Sequence, residues 1–373
     1  MAPQAGVIPP GIDPCAIPAA LPPGGGSWNF DNPTSLSTVT IAVGVIVTVL
    51  AAFFVAIRIY TNRTALRIAD YFVIIGTVFD LGFTSLIIAQ HKSNRHQWDV
   101  PACWLDVRYI KSVFSNTLLV GPALYFSKSA IFLMYHQFFS VDKTVRIAIY
   151  IGLISTFLVY FPSIPLSAYY DAPHIGETWE DVLTNGSPFK LIYWGVVQGS
   201  LSVVLDFYIF ILPLPMLSKL QLRSNKKRQL VAIFATALLG VAASIVALYF
   251  RVELLNKDDG TWKTASVNIA VMVENNVALI VASMPTFATF FKLHLSNSLL
   301  VKRLESIFPS SETPQSDTGE NESPTLRTFG SPHRKVPRYY ELTETTMMSQ
   351  STVPDGTTDQ TLYTHEAPYT AGW

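Results

Sequence analysis

The sequence predicts an all-α membrane protein, a seven-transmembrane helix bundle with a disordered C-terminal tail. Three observations carry this. Half of the 373 residues are hydrophobic, only 14% are charged, and mean hydropathy is +0.33, whereas about a quarter of the residues of a soluble domain are charged. Seven stretches supply the roughly 20 apolar residues that a helix needs to cross a hydrocarbon core of about 30 Å. From about residue 304 the chain turns to Ser, Thr, Pro, Glu and Asp with few large aliphatics, too little apolar surface to offset the entropy of ordering.

Residues 1–35 form a Pro/Gly-rich segment without Lys or Arg. It lacks the basic start and unbroken apolar stretch of a signal peptide, so insertion is expected to begin with the first span. The spans fall at about 36–58, 70–90, 112–139, 147–168, 191–217, 230–251 and 267–291. The tail, 292–373, contains Thr313-Pro314, Ser323-Pro324 and Ser331-Pro332, where phosphorylation would add charge next to the bilayer.

Seven spans put the termini on opposite sides, and basic residues choose which. The face with the first, third and fifth loops and the tail junction carries Arg58, Arg63, Arg67, Lys143, Arg146, Lys219, Arg223, Lys226, Lys227, Arg228, Lys292, Lys302 and Arg303. The other carries Lys92, Arg95, Arg108, Lys111, Lys190, Arg251, Lys257 and Lys263. The richer face is read as cytosolic, with the amino terminus outside and the plasma membrane as the expected location. Zero formal net charge gives no reason to expect a nucleic-acid partner; the lipid bilayer is the expected partner.

Two cysteines, Cys15 and Cys103, exclude a disulfide framework and a multi-thiolate metal site. Both lie on the outer side, where a bridge between them is chemically permitted. His91, His96 and Asp99 without a thiolate make no convincing metal site, and no cofactor is expected. Asn185-Gly186-Ser187 is a glycosylation sequon in an outer loop, disfavoured by Pro188.

The spans and loops carry marks of a family. Arg58, Arg63 and Arg67 precede Ala69-Asp70-Tyr71; His96-Gln97-Trp98-Asp99-Val100-Pro101 fills the first outer loop; Lys128-Ser129-Ala130-Ile131 leads to Tyr135. Asp206-Phe207, Leu212-Pro213-Leu214-Pro215, Tyr249-Phe250-Arg251, Asp259-Gly260-Thr261-Trp262, Val273-Glu274-Asn275-Asn276 and Ser283-Met284-Pro285 follow in order. From about 36 to 291 the chain resembles the fungal rhodopsin-like integral membrane proteins, which include a member of the satratoxin biosynthetic cluster. Ala69 replaces the first Asp of the family's Asp-Asp pair, Gln137 an Arg, and Asp171-Ala172-Pro173 and Gly186-Ser187-Pro188 stand where the family has a Cys-x-Pro and a second cysteine. The resemblance implies a seven-helix membrane fold and supplies no ligand.

Ionisable side chains inside a membrane cost at least about 2.5–3.5 kcal/mol each, so they face the bundle interior and pair. Asp80, Lys128 and Asp206 lie ten or eleven residues from the cytosolic ends of their spans, near mid-bilayer at about 1.5 Å per residue. They are expected to form one cluster in which Lys128 pairs with one Asp and the other holds a proton or cation; a purely structural ion pair is the alternative. Glu274, Asn275 and Asn276 are placed in the outer half of the last span, within reach of Arg251. Above them, His96, Trp98, Asp99 and Pro101, with Trp104, Trp179 and Trp262, suggest a vestibule for a small molecule, although interfacial tryptophans also belong to the aromatic belt.

A retinal protein needs a lysine in the seventh span, and none lies between Lys263 and Lys292. The Asp-Arg-Tyr and Asn-Pro-x-x-Tyr signatures of conventional G-protein-coupled receptors are replaced by Gln137-Phe138-Phe139 and Ser283-Met284-Pro285. Three classes stay open: a receptor-like sensor of an extracellular small molecule or surface cue with a cytosolic signalling partner; a membrane-embedded, acid-catalysed cyclase of secondary metabolism using Asp80, Asp206 or Glu274; and a transporter, for which no internal repeat is visible.

Overall fold

The apolar stretches become helices longer than the bilayer requires. The computed structural model describes residues 13–139, 142–185, 189–215, 224–256 and 258–295. The Ser/Thr-Pro sites and the tail beyond 295 lie outside the described residues, as do Lys219 and Arg223. The described chain forms α1 (Ser37–Asn62), α2 (Ile68–Ala89), α3 (Val107–Phe139), α4 (Lys143–Tyr160), α5 (Ser163–Tyr170), α6 (Trp179–Asn185), α7 (Phe189–Ile211), α8 (Ser224–Glu253) and α9 (Gly260–Leu295). Seven spans are long and apolar enough to cross a membrane, α4 and α5 together making the fourth. No named strand occurs among the described residues, only two isolated β-bridges.

Local signals set the ends. Asp70, in the first turn of α2, accepts the backbone N–H of Arg67 at 2.9 Å, satisfying a donor that the helix start leaves free. Asp142 does the same for Thr144 at 2.9 Å and starts α4. The fourth span breaks between Tyr160 and Ser163. Pro162 and Pro165 have no N–H to continue the ladder, and Gly121 of α3 packs into the break. A Cβ on Gly121 would lie 2.6 Å from Ser163 Oγ and 3.1 Å from the Tyr160 carbonyl.

The helices form a ring in which α1 packs on α2 and α9, α2 on α3, α3 on α4, α4 on α7, α7 on α8 and α8 on α9, while α3 and α9 also touch each other. Burial shows what this means. The most apolar windows of the third and seventh spans are 61% and 67% buried, against 22–33% for the other five. Helices α3 and α9 are therefore the axis of the bundle. The other helices leave large apolar side chains such as Val49, Phe53, Ile154 and Val204 exposed, which suits a lipid environment.

Two sites test this packing. Gly152 of α4 has no room for a Cβ, because Phe132 of α3 fills the space. Gly152→Ala is expected to lower the melting temperature in detergent, at a cost of roughly 1–3 kcal/mol typical of overpacking, and Phe132→Leu to restore part of it; an unchanged melting temperature would show that α3 and α4 separate at no cost.

Asp171, just past α5, is 6% exposed and accepts from Ser167 Oγ at 2.9 Å. Burial pushes its carboxyl up from 3.8 to about 6, outweighing the Ser167 hydrogen bond. The folded state therefore prefers the protonated acid. The stability penalty is absent below pH ~3.8, grows as pH rises and is complete above about 6. Asp171→Asn is expected to raise the melting temperature at neutral pH and to flatten its pH dependence between about 4 and 6.

Candidate functional site

Three polar layers follow α9 through the bundle. The middle one centres on Lys128 of α3, which is 1% exposed. Its ammonium has three protons, and three oxygens receive them: Glu274 Oε1 of α9 at 2.7 Å, Asp206 Oδ1 of α7 at 2.8 Å and Ser202 Oγ of α7 at 2.8 Å. Ser202 donates its single proton to Glu274 Oε1 at 2.7 Å, so the buried Tyr160 hydroxyl, 2.7 Å from Ser202 Oγ, is the donor in that contact. Arg251 of α8 donates to the Gly195 carbonyl at 3.0 Å and acts on Glu274 through space. Two cations thus face two carboxylates. A cavity of about 20 Å³ next to them, lined by Asp206 and Glu274 with Ile131, Ile209, Ala237 and Gly240 among others, has room for about one water molecule.

This corrects the expected grouping. Asp80 is absent from the Lys128 cluster, and Glu274 belongs to it without a direct bond to Arg251. Asp80 is fully buried and meets α9 one residue further along. Its Oδ1 accepts from Asn275 Nδ2 at 2.7 Å and Asn276 Nδ2 at 3.3 Å, while Ser127 Oγ of α3 donates to Asn275 Oδ1 at 2.7 Å. Consecutive residues of a helix point about 100° apart, so Glu274 faces Lys128 of α3 and Ser202 of α7, while Asn275 and Asn276 converge on Asp80 of α2 and Asn275 also reaches Ser127 of α3. A run of three polar residues is tolerable only on a helix enclosed on most sides, as α9 is.

The second layer, at the carboxyl-terminal end of α9, was not singled out as a site from the sequence. Arg58 Nε bonds Asp70 Oδ1 at 2.6 Å, with the side chains 2% and 0% exposed, and Arg58 Nη1 donates to the Ala282 carbonyl. Asn62 Nδ2 adds a bond to Asp70 Oδ1 at 3.0 Å. Pro285 leaves the Val281 carbonyl without its helical donor, and Arg58 takes the neighbouring carbonyl. The arginine and Asp70 stand in the motif that carried the family resemblance, which was the available signal.

The third layer is a cap over the amino-terminal face. Cys15 and Cys103 are bridged, with Cα atoms 5.0 Å apart. Around them Ala19 N–H donates to the Val100 carbonyl at 2.8 Å, and Ala102 N–H to the Ile17 carbonyl at 3.0 Å; Pro18 pairs with Pro101. Asp99 accepts Asn29 N–H at 2.8 Å. His96 stacks on Trp98 at 4.7 Å and on Trp262 at 4.1 Å, nearly parallel to both. Two indoles cannot share one face of so small a ring, so His96 lies between them.

Its Nδ1 lies 2.5 Å from Asp259 Oδ2, and Gln97 N–H bonds the other oxygen at 2.9 Å. Asp259 has φ 57°, a left-handed turn that Asp tolerates better than most residues, and α9 begins at the next residue. Thr261 Oγ1 then bonds the Arg95 carbonyl at 2.7 Å.

Of the rings expected to line a vestibule, His96, Trp98 and Trp262 therefore cover one another. Arg95 lies 4.9 Å over Trp104 and Lys111 5.6 Å over Trp179. His91 Nδ1 faces the Ile88 carbonyl at 2.9 Å, apart from the cap stack. Asn185 ends α6, and residues 186–188 of its sequon lie outside the described residues.

Seven apolar spans around a polar axis define a multi-pass membrane protein. The family profile described as the fungal rhodopsin domain matches residues 53–293, and the chain belongs to that family. A SAT4 family membrane protein of Emericella nidulans is 26% identical over 208 residues, 54% of this chain and 51% of the relative. The match spans about half the length of that curated relative. No solved structure matches.

The Lys128 layer makes a sharp prediction. Removing the ammonium by Lys128→Met leaves two buried carboxylates with one less cation, which is expected to cost about 3–5 kcal/mol. Folding yield and melting temperature in detergent should fall, and Lys128→Met combined with Asp206→Asn and Glu274→Gln should recover most of the loss. A single variant as stable as the parent would remove Lys128 from its role in packing.

Proposed function

We propose that the protein is a receptor-like sensor with the cap outside the plasma membrane, detecting a small molecule or surface cue and signalling to a cytosolic partner. The observation that carries this is the continuity of α9. One helix starts at the His96–Asp259 latch, holds Glu274 and Asn275–Asn276 in mid-bundle, and gives its Ala282 carbonyl to the buried Arg58–Asp70 pair.

A cue that displaces Trp262 or His96 shifts the start of a helix whose far contacts are directional polar bonds, which have few alternative arrangements. The seven-span topology and the basic residues around Arg58, Arg63 and Arg67 on the opposite face support the same orientation. An acid-catalysed cyclase is disfavoured at the central layer because Lys128 already holds both Asp206 and Glu274.

The test needs no known ligand. Spin labels at Thr64→Cys, in the α1–α2 turn, and Thr289→Cys, exposed on α9, report the distance between α1–α2 and α9 at the end away from the cap. In nanodiscs, Trp262→Ala and His96→Ala open the stack, seen as a change in tryptophan fluorescence. The sensor reading expects a shifted label-to-label distance distribution in both. An opened stack with unchanged distances would sink it.

A further inference from the structure

Lys128 and Arg251 balance Asp206 and Glu274, but nothing balances Asp80. Its Oδ1 takes two amide N–H groups, while Oδ2 is buried without any hydrogen-bond partner. No salt bridge to Asp80 occurs among the described residues. A buried carboxylate left in that state is strongly unfavourable.

Two further buried oxygens on the facing helices share the deficit. Asn276 Oδ1 has no partner, and its assignment as the oxygen is fixed because the amide nitrogen donates to both Asp80 Oδ1 and the Met272 carbonyl, the latter at 2.9 Å. Thr84 Oγ1, one turn from Asp80 on the same face of α2, has no partner either. Thr40, Thr61, Thr77, Thr117 and Thr156 all bond the carbonyl four residues back; Thr84 does not. The face is directed inward, since a Cβ on Gly76, one turn before Asp80, would meet the Ser127 backbone at 3.2 Å and Leu279 of α9 at 3.4 Å.

We propose that Asp80 Oδ2, Thr84 Oγ1 and Asn276 Oδ1 bind one sodium ion between α2 and α9. Carboxylate, hydroxyl and amide oxygens are ligands for a hard cation. One uncompensated negative charge matches a monovalent ion, whereas calcium sites gather several carboxylates. No group of three His, Cys, Asp or Glu that would hold a transition metal occurs among the described residues. A proton on Asp80 Oδ2, with the Thr84 hydroxyl donating onward, would also serve these oxygens, and the titration below separates the proton from the ion. A Cβ on Gly76 would lie only 3.4 Å from Leu279 of α9, so α2 and α9 stand close one turn from Asp80, which favours the smaller alkali ion over potassium. The site stands on this geometry and does not depend on the sensor reading.

The experiment measures thermal unfolding of the full-length protein in nanodiscs, titrated with NaCl, KCl or choline chloride at constant ionic strength. A ligand that binds only the folded state raises the melting temperature by mass action. The expected result is a saturable rise of a few degrees in NaCl, smaller in KCl and absent in choline. Asp80→Asn and Thr84→Val should each abolish it, and the second keeps the charge, so it reports even if the first folds poorly. Equal melting temperatures in the three salts would overturn the proposal, as would a sodium response that persists in Thr84→Val. A response to pH alone, lost in Asp80→Asn, would assign a proton to the site and equally remove sodium.

Discussion

An ammonium in the middle of a membrane has to be compensated by oxygens from other helices, and the bundle is arranged around that requirement. Lys128 is fixed on α3, so Asp206 and Ser202 bring α7 to it, Glu274 brings α9, and Tyr160 brings the end of α4. Apolar side chains do not specify such a register, because lipid tails are as apolar as the helices they surround. Three directional bonds from one nitrogen do. The apolar contacts above and below, such as Phe132 against α4 and Met272 against α1, then fill the space that this register leaves.

The same requirement explains why α3 and α9 form the axis. A helix with charged and amide groups on several faces is stable in a membrane only when other helices cover those faces. Helix α9 carries Glu274, Asn275 and Asn276 in succession, and between them they bond α2, α3 and α7. Helices α1 and α4, with fewer buried polar groups in mid-span, sit outside and turn apolar side chains outward.

Spans and approximate depth were legible because composition changes on the length scale of the bilayer. Which face of a helix a residue occupies was not. Asp80, Lys128 and Asp206 lie at similar distances along their spans, yet Asp80 faces the amides of α9 rather than Lys128. Glu274 was misplaced for a different reason. The last span was expected to begin near 267, which sets Glu274 about two turns in; α9 begins at Gly260, two turns earlier, and that moves Glu274 down to the level of Lys128. The polar residues Thr261, Lys263 and Thr264 hid those turns from a hydropathy reading. The cap rings were legible as residues but not as a stack, since nothing in the spacing of His96, Trp98 and Trp262 says that they meet.

A long helix fixed at three levels transmits displacement only if its middle contacts permit two arrangements. The Lys128 layer is poorly suited to that, because every proton of the ammonium is already used and any shift breaks a bond in a low-dielectric interior. The Asp80 layer differs. It has oxygens in excess of donors, so its stability depends on what neutralises the carboxylate, and α2 and α9 are held together there by two amide bonds from consecutive residues. Asp80 also lies in the helix whose first turn carries Asp70, the partner of Arg58. A change in the occupancy of the Asp80 site therefore acts on α2 and α9 together, the two helices that the Arg58 layer joins, whereas a change at Lys128 acts on the packing of the whole bundle. On the proposed reading, stability and responsiveness fall to different residues of the same helix, Glu274 serving the first and Asn275–Asn276 the second.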